Sequence, residues 1–169
     1  NGSPTDLLAG VDALDTDVAT VGSRSGANTY LLEANGITVD DSGSDQVTVQ
    51  RVGLDSSLTG TTDAALARGG DSGGVYKLET TDGAITVAAS SSAEAVRAAS
   101  HILFRSGDAG DDDVWDITQD AGAAVVSTGA NAASLDEDGG DISILADGRF
   151  LQNAAVTTDG GTIDVEAFD

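Results

Sequence analysis

The densest group of side chains that could do chemistry is an acidic turn in the second half of the chain, residues 107–115. It carries four carboxylates, Asp108, Asp111, Asp112 and Asp113, between glycines that let the backbone bend. Calcium takes about six to eight oxygen ligands, which clustered carboxylates on a flexible turn can supply. These four residues are the predicted metal ligands, and calcium is the only cofactor that the sequence suggests. A solvated acidic corner without metal is the alternative that explains the same residues, and both interpretations stay open.

The spacing of this turn resembles the calcium-binding nonapeptide of repeat-in-toxin proteins. Gly107, Gly110, Asp112 and Val114 match that pattern, while Asp108 stands where the family has its second glycine. Proteins of that family stack many copies, so that each ion bridges neighbouring turns, whereas this chain has a single copy. The single copy therefore weakens the resemblance and favours a solvated acidic corner without metal.

A second stretch, Gly70-Asp-Ser-Gly-Gly74, resembles the nucleophile motif of chymotrypsin-like serine proteases. A serine nucleophile needs a histidine base and an aspartate that orients the base. In that family both residues precede the serine, whereas the single histidine of this chain, His101, follows Ser72. We therefore interpret the stretch as a glycine-rich corner, and we predict no catalytic residues and no enzyme activity.

Charge and composition restrict the partners. The 169 residues carry a net charge of −22, with 29 acidic residues against 7 basic ones. So few cations cannot neutralise a phosphate backbone or an anionic bilayer, which argues against nucleic acid and membrane surfaces as partners. Cysteine is absent, which excludes disulfides, and no apolar run is long enough to predict insertion into a membrane. The lack of methionine, even at position 1, suggests a piece of a longer precursor.

Short alternating stretches bounded by glycine and aspartate recur along the chain. In the clearest, residues 139–167, Ile142 and Ile144 point one way, and Ile163 and Val165 repeat the pattern. Alternation of β-branched and polar residues with period two predicts half-buried strands. The same order of residues appears in 25–39 and 73–87. Our alignment of these copies pairs Tyr30 with Tyr76, Leu32 with Leu78, Gly36 with Gly83, and Ile37-Thr-Val39 with Ile85-Thr-Val87.

The recurrence predicts an all-β fold of about ten short strands, specifically a right-handed parallel β-helix, or β-solenoid. Coils of roughly 20–25 residues would give about seven coils. A β-sandwich is the alternative. Residues 3–21 suit a helix or strands equally, and residues 92–100 suggest a short helix. Because the repeat runs through most of the chain, residues 1–169 are expected to form a single solenoid domain.

Four stretches, 11–21, 30–39, 83–87 and 157–167, resemble the repeats of very large bacterial surface proteins of the filamentous-haemagglutinin type. The resemblance covers most of the chain. It implies a secreted β-helical rod at the bacterial cell surface, a fragment of a longer repetitive chain that serves as a structural or adhesive segment, with no catalytic residues to carry over. Its expected partners are neighbouring repeats of the same chain, like subunits packed end to end, or polysaccharide of the cell surface or matrix.

Two other functions remain as alternatives. One is a calcium-dependent adhesion or carbohydrate-binding module, which the acidic turn favours. The other is a subunit of a self-assembling filament, because the ends of a solenoid are unpaired strand edges to which a further strand can add.

Overall fold

The computed structural model describes residues 13–41, 48–62, 65–110, 115–130 and 140–168. Over these ranges the chain forms strands and no helix. The strands are β1 (Leu14–Thr16), β2 (Thr20–Val21), β3 (Ser23–Ser25), β4 (Thr29–Glu33), β5 (Ile37–Val39), β6 (Thr48–Val52), β7 (Leu58–Thr62), β8 (Gly70–Ser72), β9 (Tyr76–Thr80), β10 (Ile85–Val87), β11 (Glu94–Ala98), β12 (Ile102–Arg105), β13 (Ile117–Gln119), β14 (Ala124–Ser127), β15 (Ile142–Ala146), β16 (Phe150–Gln152), β17 (Val156–Thr158) and β18 (Ile163–Ala167).

All but two of these strands belong to three parallel sheets. Sheet A consists of β1, β4, β9, β12, β15 and β18; sheet B of β2, β5, β10, β13 and β16; and sheet C of β3, β8, β11, β14 and β17. The chain visits the sheets in the order A, B, C and then returns to A, and we call one such passage a coil. The architecture is therefore all-β and consistent with a parallel β-helix or solenoid. It differs from the sandwich alternative, whose sheets are antiparallel.

The described strands make five coils and the first strand of a sixth, fewer than the expected seven. The number of coils differs from the predicted number because the coils are not of equal length. The link from sheet B to sheet C is a single residue, Gly22, in the first coil, whereas in the second coil it spans residues 40–69 and contains the antiparallel hairpin β6–β7. We call this longer link, residues 40–69, the hairpin excursion. Its two ends lie close together, as shown by the 2.7 Å that would separate a Cβ on Gly69 from the Asp40 nitrogen.

Like residues stack in columns inside the three sheets. Leu31, Leu78, Phe104 and Ile144 are successive register partners in sheet A, and each is at most 5% exposed. Each side chain is thus covered by its counterparts in the neighbouring coils as well as by the other two sheets. The predicted inward orientation of Ile142 and Ile144 is confirmed. The equivalent columns of the other sheets include Ile37, Ile85 and Ile117 in sheet B and Val96 and Val125 in sheet C.

The repeat alignment is right in one sheet and wrong in another. In sheet B, Ile37 pairs with Ile85 and Val39 with Val87, as aligned. In sheet A the alignment is off by one residue, because Tyr76 pairs with Thr29 and Leu78 with Leu31. A shift of one residue in a strand exchanges its two faces. Tyr30 and Leu32, the residues that the alignment had paired with Tyr76 and Leu78, accordingly lie on the outer face, only half-buried, while Leu31 enters the core.

Two expectations of helix are corrected. Residues 94–98 form strand β11 in place of the predicted short helix at 92–100, because Val96 and Ala98 pair with neighbouring strands of sheet C and are fully buried there. The part of residues 3–21 that the structure describes, from residue 13, forms β1 and β2. The rest of that stretch lies outside the described residues.

Hydrogen-bonding side chains occupy the corner between sheets A and B. They end or follow the sheet A strands: Thr16, Glu33, Thr80 and Ser106. The buried carboxylate of Glu33 accepts hydrogen bonds from the Thr16 hydroxyl and from the Val18 and Ala34 nitrogens, the latter two at 3.1 and 3.2 Å. Backbone groups that leave a sheet need such partners when they are buried. This corner column therefore satisfies the backbone where the chain turns.

A second corner column lies between sheets C and A. Its members Ser25, Ser72, Ser127 and Thr158 end strands of sheet C. The Ser127 hydroxyl donates to the Ser100 carbonyl, and the Thr158 hydroxyl donates to the Gly140 carbonyl. Each of these bonds ties a corner of one coil to the link through which the preceding coil returns to sheet A.

Candidate functional site

The predicted metal turn is only partly described by the structure. Asp108 is half-buried, and its Oδ1 accepts a hydrogen bond of 2.9 Å from the Gly110 nitrogen. Asp111, Asp112 and Asp113 lie outside the described residues. Among the residues that are described, no three acidic or histidine side chains are grouped as metal ligands would be. Calcium binding at this turn stays a prediction.

The geometry of the protease-like stretch is that of a packed corner. Ser72 is 3% exposed, and its hydroxyl lies 2.7 Å from the Ala27 carbonyl and 2.9 Å from the Val75 carbonyl. A hydroxyl with its hydrogen directed at backbone carbonyls is in no position to attack a substrate. Packing requires a glycine at position 70, since a Cβ there would lie 2.6 Å from the Tyr76 ring. These contacts favour our interpretation of the stretch as a corner.

His101 joins two adjacent coils. Its Nδ1 accepts a hydrogen bond of 3.0 Å from the Asp141 nitrogen and lies 3.7 Å from the carboxylate of the same residue. The two residues precede β12 and β15, which are paired in sheet A. The imidazole therefore has a structural role at the start of these strands.

A groove on the outer face of sheet C is lined by charged side chains from three coils. Arg24 pairs in register with Asp71, and Asp71 pairs with Arg97, so the three charged side chains form one column over three coils. Neighbouring strands lie about 4.8 Å apart, which places the backbones of the two arginines about 10 Å apart along the stack. The groove beside this column has a volume of about 550 Å³. Small and hydroxyl-bearing residues complete its walls: Ser25, Gly26, Ser72, Gly73, Ala99, Thr128 and Ala130.

The charges of this arginine groove are unevenly paired. Arg68, beside the groove, forms ion pairs with both nearby carboxylates. Its guanidinium nitrogens lie 3.4 Å from an Asp71 oxygen and 2.9 Å from a Glu94 oxygen. The Arg97 guanidinium lies 3.7 Å from Glu94, which is beyond hydrogen-bond length. Arg24 is exposed and makes no ion pair or side-chain hydrogen bond with any residue that the structure describes. Among the residues that the structure describes here, three guanidinium groups therefore face two carboxylates, a local positive excess on a chain of net charge −22.

The arginines of this groove are far apart in the chain, so their sequence positions alone did not indicate a site. A signal was present in Ser23-Arg-Ser25 and Gly70-Asp-Ser72, which share the order small residue, charged residue, serine. In both, the charged residue points outward while the serine turns toward the corner. Comparing these two stretches as strands of one sheet would have brought Arg24 next to Asp71.

Comparison of the chain with protein-family models, with curated proteins and with solved structures finds no match in any of the three. No helix capable of crossing a bilayer occurs in the described ranges. The fold and the site thus define an all-β chain of stacked parallel strands that carries an arginine groove on one sheet.

Proposed function

We propose that the chain is a non-enzymatic structural segment of a large extracellular bacterial surface protein, folded as a right-handed parallel β-helix that serves as a stiff spacer or adhesive stalk. The observation that carries this proposal is the continuity of three parallel sheets around one buried core. The right hand is supported by the strong preference of parallel crossovers for it. The acidic surface would keep such a rod hydrated and apart from its neighbours.

Three kinds of contact between coils would make the proposed spacer stiff. Backbone ladders join every strand of a sheet to the next, the core columns stack like side chains, and the corner columns tie turns to one another. In a linear array each unit contacts only its neighbours, so a pull along the axis loads one interface after another.

The edge of β18 supports continuation of the stack. Ile163 and Val165 occupy the columns that are buried at Ile142 and Ile144, yet they are 42% and 46% exposed. Phe168, just after the strand, is 65% exposed. A further coil of the same chain or a like subunit packed on this edge would cover these side chains. The calcium-dependent alternative depends mainly on Asp111 to Asp113 and is tested by a melting curve with calcium against chelator.

Single-molecule stretching of the chain, tethered at its two ends, tests the mechanical proposal. We expect a series of unfolding steps, each releasing about one coil of chain, because the coil interfaces yield in turn. Removing two corner hydroxyls in Ser72→Ala/Ser127→Ala should lower the unfolding force. Ser143→Ala, which removes an outward hydroxyl of β15, is the matched control and should leave the force unchanged. Extension in one low-force event, or equal effects of both variants, would contradict the proposal.

A further inference from the structure

We propose that the arginine groove of sheet C binds an acidic sugar, a short saccharide that carries a carboxylate or sulfate group, through Arg24 and Arg97. This gives the proposed stalk a lateral binding site, but it does not depend on the stalk function. The two proposals are tested by separate measurements, and either can fail alone.

The anion would be held by guanidinium groups whose hydrogen-bonding capacity is not taken up by the described part of the chain. Arg24 has no ionic partner among the described residues, and Arg97 has only the 3.7 Å approach to Glu94. A guanidinium presents donors in a planar fork that matches the two oxygens of a carboxylate or the face of a sulfate. Arg68 already satisfies Asp71, so the carboxylate between the two arginines is partly neutralised before any ligand arrives.

The shape of the groove fits a sugar better than a large apolar group. Its walls are low, and a Cβ placed on Gly26 would meet nothing within 4 Å, so the space above this corner is open. The Ser25 hydroxyl accepts a hydrogen bond from the Ala27 nitrogen at 3.1 Å and keeps its own hydrogen to donate. Saccharide hydroxyls are suitable partners for it, while the arginines select for the acid group.

The charge of the whole molecule limits the ligand to one of low charge density. A net charge of −22 repels long polyanions, whose many charges extend beyond the groove. A saccharide with one to a few acid groups places its charge where the local excess is positive. The complex is expected to be weak, with a Kd of about 1 mM, and to weaken as salt is added.

Nuclear magnetic resonance of the arginine Nε–H groups tests the proposal with trigalacturonate, galactose 6-sulfate and neutral galactotriose as probes. We expect the Arg24 and Arg97 signals to shift and saturate with the acidic probes but not with galactotriose. The two acidic probes decide between carboxylate and sulfate as the preferred group. Arg24→Gln/Arg97→Gln should lower the affinity at least tenfold while the backbone spectrum keeps the signature of the folded chain.

Arg105→Gln is the matched control, because Arg105 is an exposed arginine on sheet A, with a side chain 60% exposed and 3.6 Å from Glu79. It should bind trigalacturonate as the parent chain does. Shifts that never saturate, that are equally large with sodium acetate or galactotriose, or that are lost to the same extent in Arg105→Gln would overturn the proposal. Tighter binding to heparin than to the short probes would replace it with a polyanion site.

Discussion

Tyr76 is fully buried in sheet A. Its ring packs edge-on against Phe104, with the centroids 5.9 Å apart, and lies over Gly70, where no larger residue fits. Its hydroxyl and that of Ser23 are both buried and close to each other, but neither makes a hydrogen bond of ordinary geometry. Burial raises the pKa of Tyr76 to about 12, against a smaller lowering effect of the Ser23 hydroxyl. The tyrosine therefore contributes its ring to the core while its hydroxyl costs stability.

We predict that Tyr76→Phe raises the free energy of unfolding by about 1 kcal/mol, because a buried hydroxyl without a partner is removed and the ring is kept. The variant should also lose a pH dependence. In the parent, Tyr76 ionises near pH 10 when unfolded and near pH 12 when folded. Stability is therefore unaffected by this group below pH 10 and falls between pH 10 and 12, by at most about 1.4 kcal/mol per unit.

Urea denaturation at pH 8 and pH 11 measures both effects. Tyr30→Phe is the control, because Tyr30 points outward from sheet A and its change should stay within about 0.5 kcal/mol. A Tyr76→Phe variant that is less stable than the parent at pH 8 would show that the hydroxyl has a partner in solution.

At the scale of the elements, the corner between sheets C and A brings two coils into backbone contact. A Cβ on Gly73 would lie 2.4 Å from the Gly26 carbonyl oxygen, whereas a Cβ on Gly26 meets nothing within 4 Å. The glycines of the protease-like stretch are therefore explained by the closeness of the coils. Only one of the two stacked glycines needs to lack a side chain.

We predict that Gly73→Ala lowers the free energy of unfolding by about 1–3 kcal/mol, since a methyl group pressed against backbone cannot be relieved by rotating a side chain. Gly26→Ala, at the facing corner, should change it by less than about 0.5 kcal/mol. Chemical denaturation of both variants checks this. Similar losses in the two would mean that the corners do not approach each other as the structure shows.

The elements that could be predicted from sequence are those with an unambiguous pattern. Ile-Thr-Val of β5 and β10 has apolar residues only at the inward positions, so its register follows directly. Strand β4, by contrast, reads Thr-Tyr-Leu-Leu-Glu, with apolar residues on both faces, and its inward end is a buried glutamate. Strand β11 is rich in alanine and glutamate, which favour helices, and only its neighbours in sheet C make it a strand.

For the whole molecule, the net charge of −22 is the dominant electrostatic fact. Charges of one sign on a compact chain repel one another and lower its stability, and salt screens that repulsion. We predict that raising NaCl from 20 mM to 500 mM increases the thermal midpoint by about 2–4 °C, or about 1 kcal/mol for a chain of this size. Differential scanning calorimetry measures it. A midpoint that falls with NaCl would indicate that the ion pairs of sheets A and C outweigh the repulsion.

The class of fold could be predicted from the sequence, while its dimensions and its site could not. Repetition of one strand pattern indicated stacked coils, because each coil faces the same environment as the next. The coil count failed where residues 40–69 interrupt the repeat. The arginine groove could not be predicted because it exists only once Arg24, Asp71 and Arg97 lie in one column. That arrangement depends on the length of every link between them.

The hairpin excursion has a consequence for engineering. Its two ends are anchored side by side to the first coil, the Asp40 nitrogen donating to the Val21 carbonyl and the Gly69 carbonyl accepting from the Ser23 nitrogen. Strands β5 and β8 thus keep their pairing with β2 and β3 of the first coil whatever lies between them, and the cost of closing a longer loop grows only slowly with its length. We expect that the link containing residues 48–62 accepts an inserted domain while the strands on either side of it keep their pairing with the first coil.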